Sequence, residues 1–132
     1  MQKTLECIKC KNNNNTKDLK VKRTRMNIED SEYICNYYIC PICNEINLFT
    51  VDNNITNKCF KELEKDNQKM INWQMNGCII SQNMKKKNLK LRLKYNLLLR
   101  TLNNNIIGKD YQLFADDNKT IIKTGKIQLP NF

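Results

Sequence analysis

Seven cysteines, at positions 7, 10, 35, 40, 43, 59 and 78, are the side chains of this sequence best suited to chemistry. Four of them form two C-x2-C pairs, Cys7-Ile8-Lys9-Cys10 and Cys40-Pro41-Ile42-Cys43, with 29 residues between the pairs. A gap of two lets both thiolates of a tight turn face one ion, while backbone N–H groups after the first cysteine soften the sulfur charge. Two such turns supply the tetrahedral S4 shell that Zn(II) favours, at about 2.3 Å per Zn–S bond. Four sulfurs with no open position describe a structural ion, so the expected ligands are Cys7, Cys10, Cys40 and Cys43, and the expected cofactor is structural Zn(II). Disulfides or free buried thiols are the alternatives; disulfides are disfavoured because seven is an odd count and no export signal is read at the N-terminus. A thioredoxin-like redox pair would sit beside a βαβ pattern, which this sequence lacks.

The remaining three cysteines read as small buried hydrophobes. Cys35 lies in the aromatic segment 33–39, Cys59 in a helical pattern, and Cys78 after Asn76-Gly77. Exchange of Cys35 for one of the paired cysteines is the alternative ligand set.

Other chemistry is poorly supplied. The chain has no His, which removes the usual general base, the Cys-His nucleophile pair and mixed Cys/His metal sites. It has no glycine-rich phosphate loop and no serine in a nucleophile context. Asp116-Asp117 falls in a turn, where neighbouring acids solvate separately, and Glu62 and Glu64 lie two apart on a helix and do not face each other. A non-enzymatic protein is expected.

The elements that position the cysteines can be read from periodicity. Alternation opens the basic segment 18–26, and 33–39 is rich in aromatic and β-branched residues; turn formers at 27–31 join them. Residues 46–51 read as a third strand, and the asparagine run 12–15 as a loop. Two cysteine knuckles and a three-stranded antiparallel sheet make a zinc ribbon. From Thr56 the period becomes helical: Phe60, Leu63, Asn67, Met70, Ile71 and Gln74 share a face, Thr56 or Asn57 caps the start, and Asn76-Gly77 ends it, predicting a helix over 56–75. In 83–103, Leu89, Leu91, Leu93 and Tyr95 alternate as in a strand, yet Leu91, Tyr95, Leu98 and Leu102 fit helical spacing. No β-branched residue appears from 81 to 100, so helix is favoured and an antiparallel helical hairpin follows. Residues 111–115 and 120–124 flank a turn at 116–118 and predict a β-hairpin, with 125–132 as a tail.

The chain should therefore be α+β. An N-terminal zinc ribbon over 1–54 precedes a basic helical hairpin over 55–104 and a short C-terminal β-hairpin and tail over 105–132. At 132 residues it is one domain, or one module with an appendage. No segment approaches the ~20 apolar residues of a membrane span, and the N-terminus lacks the apolar stretch of a signal peptide, so a cytoplasmic protein is expected.

Charge points to a binding surface. Asn (22), Lys (19) and Ile (15) dominate the composition, which A/T-rich codons explain, so the net charge of +10 is partly a genomic habit. Its distribution is not. Residues 1–52 and 53–82 each carry net +1, whereas 83–132 carry eleven basic and three acidic side chains, net +8. Seven cations without an acid fall between 85 and 100. Lys86, Lys87, Lys90, Arg92, Lys94 and Arg100 are candidates for tracking phosphates or docking a partner. Lys20, Lys22, Arg23 and Arg25 make a second candidate stripe on the first ribbon strand. Tyr37 and Tyr38 are candidates for base stacking or for ribbon core, with core favoured.

The order Cys-x2-Cys, basic strand, aromatic strand, Tyr-Ile-Cys-Pro-Ile-Cys and charged helical hairpin resembles the small zinc-ribbon proteins of phages and prophages of low-GC Firmicutes, in which a CPxCG knuckle leads into helix. The resemblance covers residues 1 to about 100 in layout, and its specific motifs are Cys7/Cys10 and Cys40/Cys43. Lys11 and Asn44 stand where that family has glycine, which predicts looser turns. The resemblance implies origin and fold; it lends no activity. Two functions remain. The protein associates with nucleic acid or the transcription and replication machinery. Alternatively, it is a phage-type inhibitor or adaptor that binds a host protein machine, such as RNA polymerase or a CRISPR effector, through its basic face.

Overall fold

The strand at Val21–Ile28 (β3) shows why a sheet forms: Thr24, Met26 and Ile28 are buried while the residues between them are not. Ser31–Ile39 (β4) folds back on it antiparallel, setting Cys35 opposite Thr24 and Tyr33 opposite Met26. The joining turn is only Glu29-Asp30, tighter than the expected 27–31, and Glu29 takes the left-handed conformation (φ 55°). Ile46–Asp52 (β5) neighbours β4, with the Asn36 side-chain amide donating to Thr50 Oγ1 at 2.8 Å. The computed structural model that shows this describes residues 4–130. Residues 1–3 of the N-terminus read above for a leader, and 131–132 of the expected tail, lie outside it.

The chain is α+β, with two helices, a two-stranded and a five-stranded sheet among the described residues. It divides into two compact units, one made of residues up to Val51 together with those from Asn103 onward, the other of Asp52–Leu102.

In the first unit the five-stranded sheet has order β5-β4-β3-β6-β7, with β6 at Asp110–Phe114 and β7 at Ile121–Lys126. This corrects the expected three-stranded ribbon sheet with a separate C-terminal hairpin. The hairpin adds to β3, with Met26 opposite Leu113 and Ile28 opposite Tyr111. Burial drives the addition. β3 had an open edge next to its apolar row, and β6 supplies Tyr111, Leu113 and Phe114, all buried. Thr24 Oγ1 donates to the Phe114 carbonyl at 2.8 Å, satisfying a buried hydroxyl. Gly125 and Lys126, expected in the tail, belong to β7, and Ile127 beyond them is buried. Lys123 on edge strand β7 reaches Glu45 Oε1, beside the opposite edge strand β5, at 2.7 Å, so the sheet curls until its edges come within a lysine's length. A second small sheet, Thr4–Glu6 (β1) with Asn13–Asn15 (β2), lay unforeseen in the sequence. Of the asparagine run 12–15 expected as loop, all but Asn12 is strand.

In the second unit, the helix Asn54–Met75 (α1) starts earlier than expected because Asn53 is the cap. Its side chain accepts from the Thr56 amide, and the Thr56 hydroxyl accepts from the Asn53 amide, both at 2.9 Å. Asn76 and Gly77 (φ 78°) end it as expected. The segment weighed as strand or helix is helix, Gln82–Ile106 (α2). Its inward face is the one read from the helical spacing: Tyr95 and Leu102 are buried, and Leu91 and Leu98 pack on the cluster of Cys59, Leu63 and Tyr95. Asn88 Nδ2 donates to Asp66 Oδ2 (2.5 Å) and Asn67 Oδ1 (2.7 Å), while Phe60 meets Tyr95 at 5.6 Å between ring centroids, so the helices run antiparallel. Tyr95 Oη donates to the buried Asp52 carboxylate at 3.0 and 3.2 Å. The inward face of α1 is shorter than expected. Thr56, Cys59 and Leu63 are buried, but Ile71 is exposed: the first turns of α2, 83–87, carry three lysines and a single apolar residue, the partly buried Met84.

Candidate metal centre

Each C-x2-C pair sits in a turn between two strands: Cys7 and Cys10 between β1 and β2, Cys40 and Cys43 between β4 and β5. The two turns are built alike. Lys11 N–H donates to the Cys7 carbonyl (3.1 Å) and Asn44 N–H to that of Cys40 (2.9 Å). Cys7 N–H donates to the Asn12 carbonyl and Cys40 N–H to that of Glu45, both at 2.9 Å. Closing the turn this way demands a left-handed residue after the second cysteine, and Lys11 and Asn44 both stand at φ 62°. Glycine would be cheapest there and asparagine is tolerated, while lysine carries the larger steric cost. The expectation of looser turns is not met: both close with hydrogen bonds of 2.9–3.1 Å.

The four sulfurs of Cys7, Cys10, Cys40 and Cys43 all lie within 4.8 Å of one another. Cys7 Sγ is 3.5 Å from Cys43 Sγ, and Cys10 Sγ 3.6 Å from Cys40 Sγ. An S4 tetrahedron with bonds of about 2.3 Å has edges of about 3.8 Å, so the donor set fits a tetrahedral thiophilic ion. Cys35 is not among them. It is buried on β4 with its thiol toward the Asn36 carbonyl (3.4 Å). Cys59 is buried as expected, but Cys78, just after the turn that follows α1, is exposed.

Two asparagines that sequence reasoning passed over complete the site. Asn47, buried on β5, donates to Cys7 Sγ at 3.5 Å and to the Glu45 carbonyl at 3.1 Å, and accepts from the Ile8 amide at 2.9 Å. Asn14, buried on β2, donates to Cys40 Sγ at 3.8 Å and accepts from the Asn12 side-chain amide at 2.8 Å. Each hairpin thus sends one amide to the leading cysteine of the other. The arrangement departs from symmetry at one point. Pro41, the counterpart of Ile8, has no N–H to offer, so the Asn14 carbonyl oxygen turns to Asn12 instead. A signal was present: each asparagine stands seven residues after the first cysteine of its own pair, in Cys-x2-Cys-x3-Asn at 7–14 and 40–47.

These contacts set the charge of the cluster. At Cys7, burial works against the thiolate, but the amides of Cys10 and Lys9 and the Asn47 side chain outweigh it and hold the thiol down to about 6. Cys40 is lowered, chiefly by the Cys43 amide. At Cys10 the Asn12 amide favours the thiolate, yet burial and the other three sulfurs push it up to about 12. Without an ion the sulfurs share protons, and a cation would replace them. Tyr38 is buried beside them, its phenol pushed up to about 12 by burial and by the charges on Cys7, Cys40 and Cys10.

The proposed binding residues land less uniformly. Tyr37 and Tyr38 are both buried core, so neither is a stacking platform. The basic stripe of the first ribbon strand divides. Lys20 precedes β3, Lys22 is exposed, and Arg23 and Arg25 are half-buried on the opposite face, because successive strand residues alternate sides. The Arg25 guanidinium lies 4.2 Å over the Phe114 ring and 4.0 Å from Glu32, committed to the fold. Lys86, Lys87, Lys90, Arg92, Lys94 and Arg100 are all exposed on α2, but not on one face. Lys87, Lys90 and Lys94 share a shallow groove with Glu62, Lys65, Asp66 and Lys69 of α1, whereas the helical rotation carries Lys86, Arg92 and Arg100 outward. Among the described residues no helix is long and apolar enough to cross a membrane.

Comparison with protein-family models, with curated proteins and with solved structures gave no match to this chain.

Proposed function

We propose that this chain is a zinc ribbon: Cys7, Cys10, Cys40 and Cys43 hold a structural Zn(II) that stabilises a non-enzymatic binding module working in the cytoplasm. Four sulfurs within 4.8 Å, with N–H donors aimed at them and no nitrogen or oxygen ligand in the set, support zinc over harder ions. A reducing compartment keeps such thiols available. The metal closes two hairpins and supplies folding energy; it takes no substrate.

The module works through the exposed cations of α2, in association with nucleic acid or with the machinery that transcribes or replicates it. The observation that carries this reading is the run from 67 to 109, which contains no Asp or Glu while seven cations between 85 and 100 are exposed. Phosphate contact predicts a steep salt dependence, with a slope of about −0.9 per neutralised phosphate on duplex DNA. Binding of the zinc-loaded protein to duplex DNA and to RNA across a salt series tests it, beside the variant Lys86→Gln, Lys87→Gln, Lys90→Gln, Lys94→Gln. A steep slope that flattens in the variant is expected, and equal binding by the two proteins refutes the reading.

The second reading, a phage-type adaptor or inhibitor that occupies a host protein machine, is favoured by one observation. Three leucines stand exposed among those cations, and phosphate tracking has no use for them.

A further inference from the structure

Leu89, Leu93 and Leu97 are 48%, 58% and 63% exposed and recur every four residues on the outer side of α2. The inward side is already filled by Leu91, Tyr95 and Leu98. A spacing of four is the ridge with which one helix packs into the groove of another, and two turns of it span about 12 Å. Lys90 and Lys86 flank the ridge on one side, Arg92 on the other, and Arg100 lies beyond its end.

We propose that this face of α2 docks an acidic amphipathic helix of a partner protein, leucines against its apolar stripe and lysines and arginines against its carboxylates. The proposal rests on reading α2 as the binding face and names the occupant. Charge selects it. A second copy would set Lys86, Lys90, Arg92 and Arg100 against the same four cations with no acid on either ridge, so self-association through this face is repelled. Phosphates reward the cations but leave the leucines set against a charged backbone. The apolar stripe is a single ridge with no aromatic residue in it, narrow for burial in a lipid interface, where Trp, Phe and Leu spread over a broad face. An acidic amphipathic helix satisfies ridge and flanks together.

The test uses the full-length zinc-loaded protein and a labelled synthetic helical peptide of about five turns, with leucines every four residues flanked by glutamates. A peptide with the same glutamates but glutamines for leucines, a duplex DNA, and phosphatidylserine vesicles are titrated alongside. Two variants are compared: Leu89→Gln, Leu93→Gln, Leu97→Gln, and Lys86→Gln, Lys90→Gln, Arg92→Gln. Circular dichroism confirms that these exposed substitutions leave the helices intact. The leucine–glutamate peptide should bind tightest, and each variant should weaken it at least about ten-fold. Equal binding of the two peptides, or an unchanged affinity in the leucine variant while the cation variant loses binding, overturns the helix but keeps a charged binding face. DNA or vesicles that bind tighter than the peptide and depend on the leucines likewise overturn it. If the cation variant binds every probe as the parent does, the broader reading of α2 falls as well.

Discussion

Asn47 offers the sharpest test of how the metal centre is built. Replacing it with alanine removes three hydrogen bonds at once: to the Ile8 amide (2.9 Å), to the Glu45 carbonyl (3.1 Å) and to Cys7 Sγ (3.5 Å). At about 1 kcal/mol for each neutral bond, and about 1.5–3 for one to a charged group, the sum is about 3.5–5 kcal/mol. Asn14→Ala removes one bond to sulfur, longer at 3.8 Å, and one to Asn12, which at the same rates sums to about 2.5–4 kcal/mol. Asn47 should therefore cost more than Asn14. Both should weaken zinc binding about 10- to 100-fold, the usual effect of losing a group that orients a ligand. Urea unfolding of the zinc-loaded proteins gives the first quantity, and competition with a chromophoric chelator the second. Asn47→Asp separates packing from electrostatics, since it keeps an oxygen for the Ile8 amide but puts a carboxylate beside the Cys7 sulfur. It should bind zinc more weakly than the alanine variant. If Asn14→Ala costs more than Asn47→Ala, or if Asn47→Ala shifts neither stability nor zinc affinity, the cross-braced account of the site is wrong.

Removing a ligand is a harsher perturbation. Cys40→Ser should lose the ion and unfold the unit that β1–β7 build, because structural zinc contributes folding energy outright; full metal stoichiometry in that variant would sink the four-cysteine assignment. In the helical unit, Tyr95→Phe takes a hydroxyl from the buried Asp52 carboxylate and should cost about 1–3 kcal/mol, read as faster amide exchange in α1 and α2; unchanged protection would mean that Asp52 is held well enough without it. In the β6–β7 turn, the Asp117 carboxylate accepts from the Thr120 hydroxyl and from the Thr120 and Lys119 amides, which hold it down to about 2. A lowered value means that the stabilisation is complete above the ordinary 3.8 and is lost only as pH falls through about 2. The Lys119 and Thr120 amide resonances should hold still from neutral pH down to 3.8, and a midpoint at or above that value contradicts the turn as drawn.

What the sequence determined by itself is what neighbours along the chain can determine. The two C-x2-C pairs, the helical period of 91–102, the stop at Asn76-Gly77 and the hairpin around 116–118 all depend on spacings of a few residues, and the structure keeps each of them. Composition and charge were equally direct: no fold can put acids into 67–109. Tertiary structure decided the rest. The edge of β3 could have been left open, covered or paired, and its pairing with β6 became favourable only because Leu113 and Tyr111 complete the apolar row of Met26 and Ile28. The asparagines at 14 and 47 look like any of the other twenty until two hairpins meet and each amide finds the opposite sulfur. The same logic exposed Leu89, Leu93 and Leu97. Periodicity gives α2 more leucines than one neighbouring helix can cover, and only packing selects Leu91, Tyr95 and Leu98 for burial and leaves the other ridge to water.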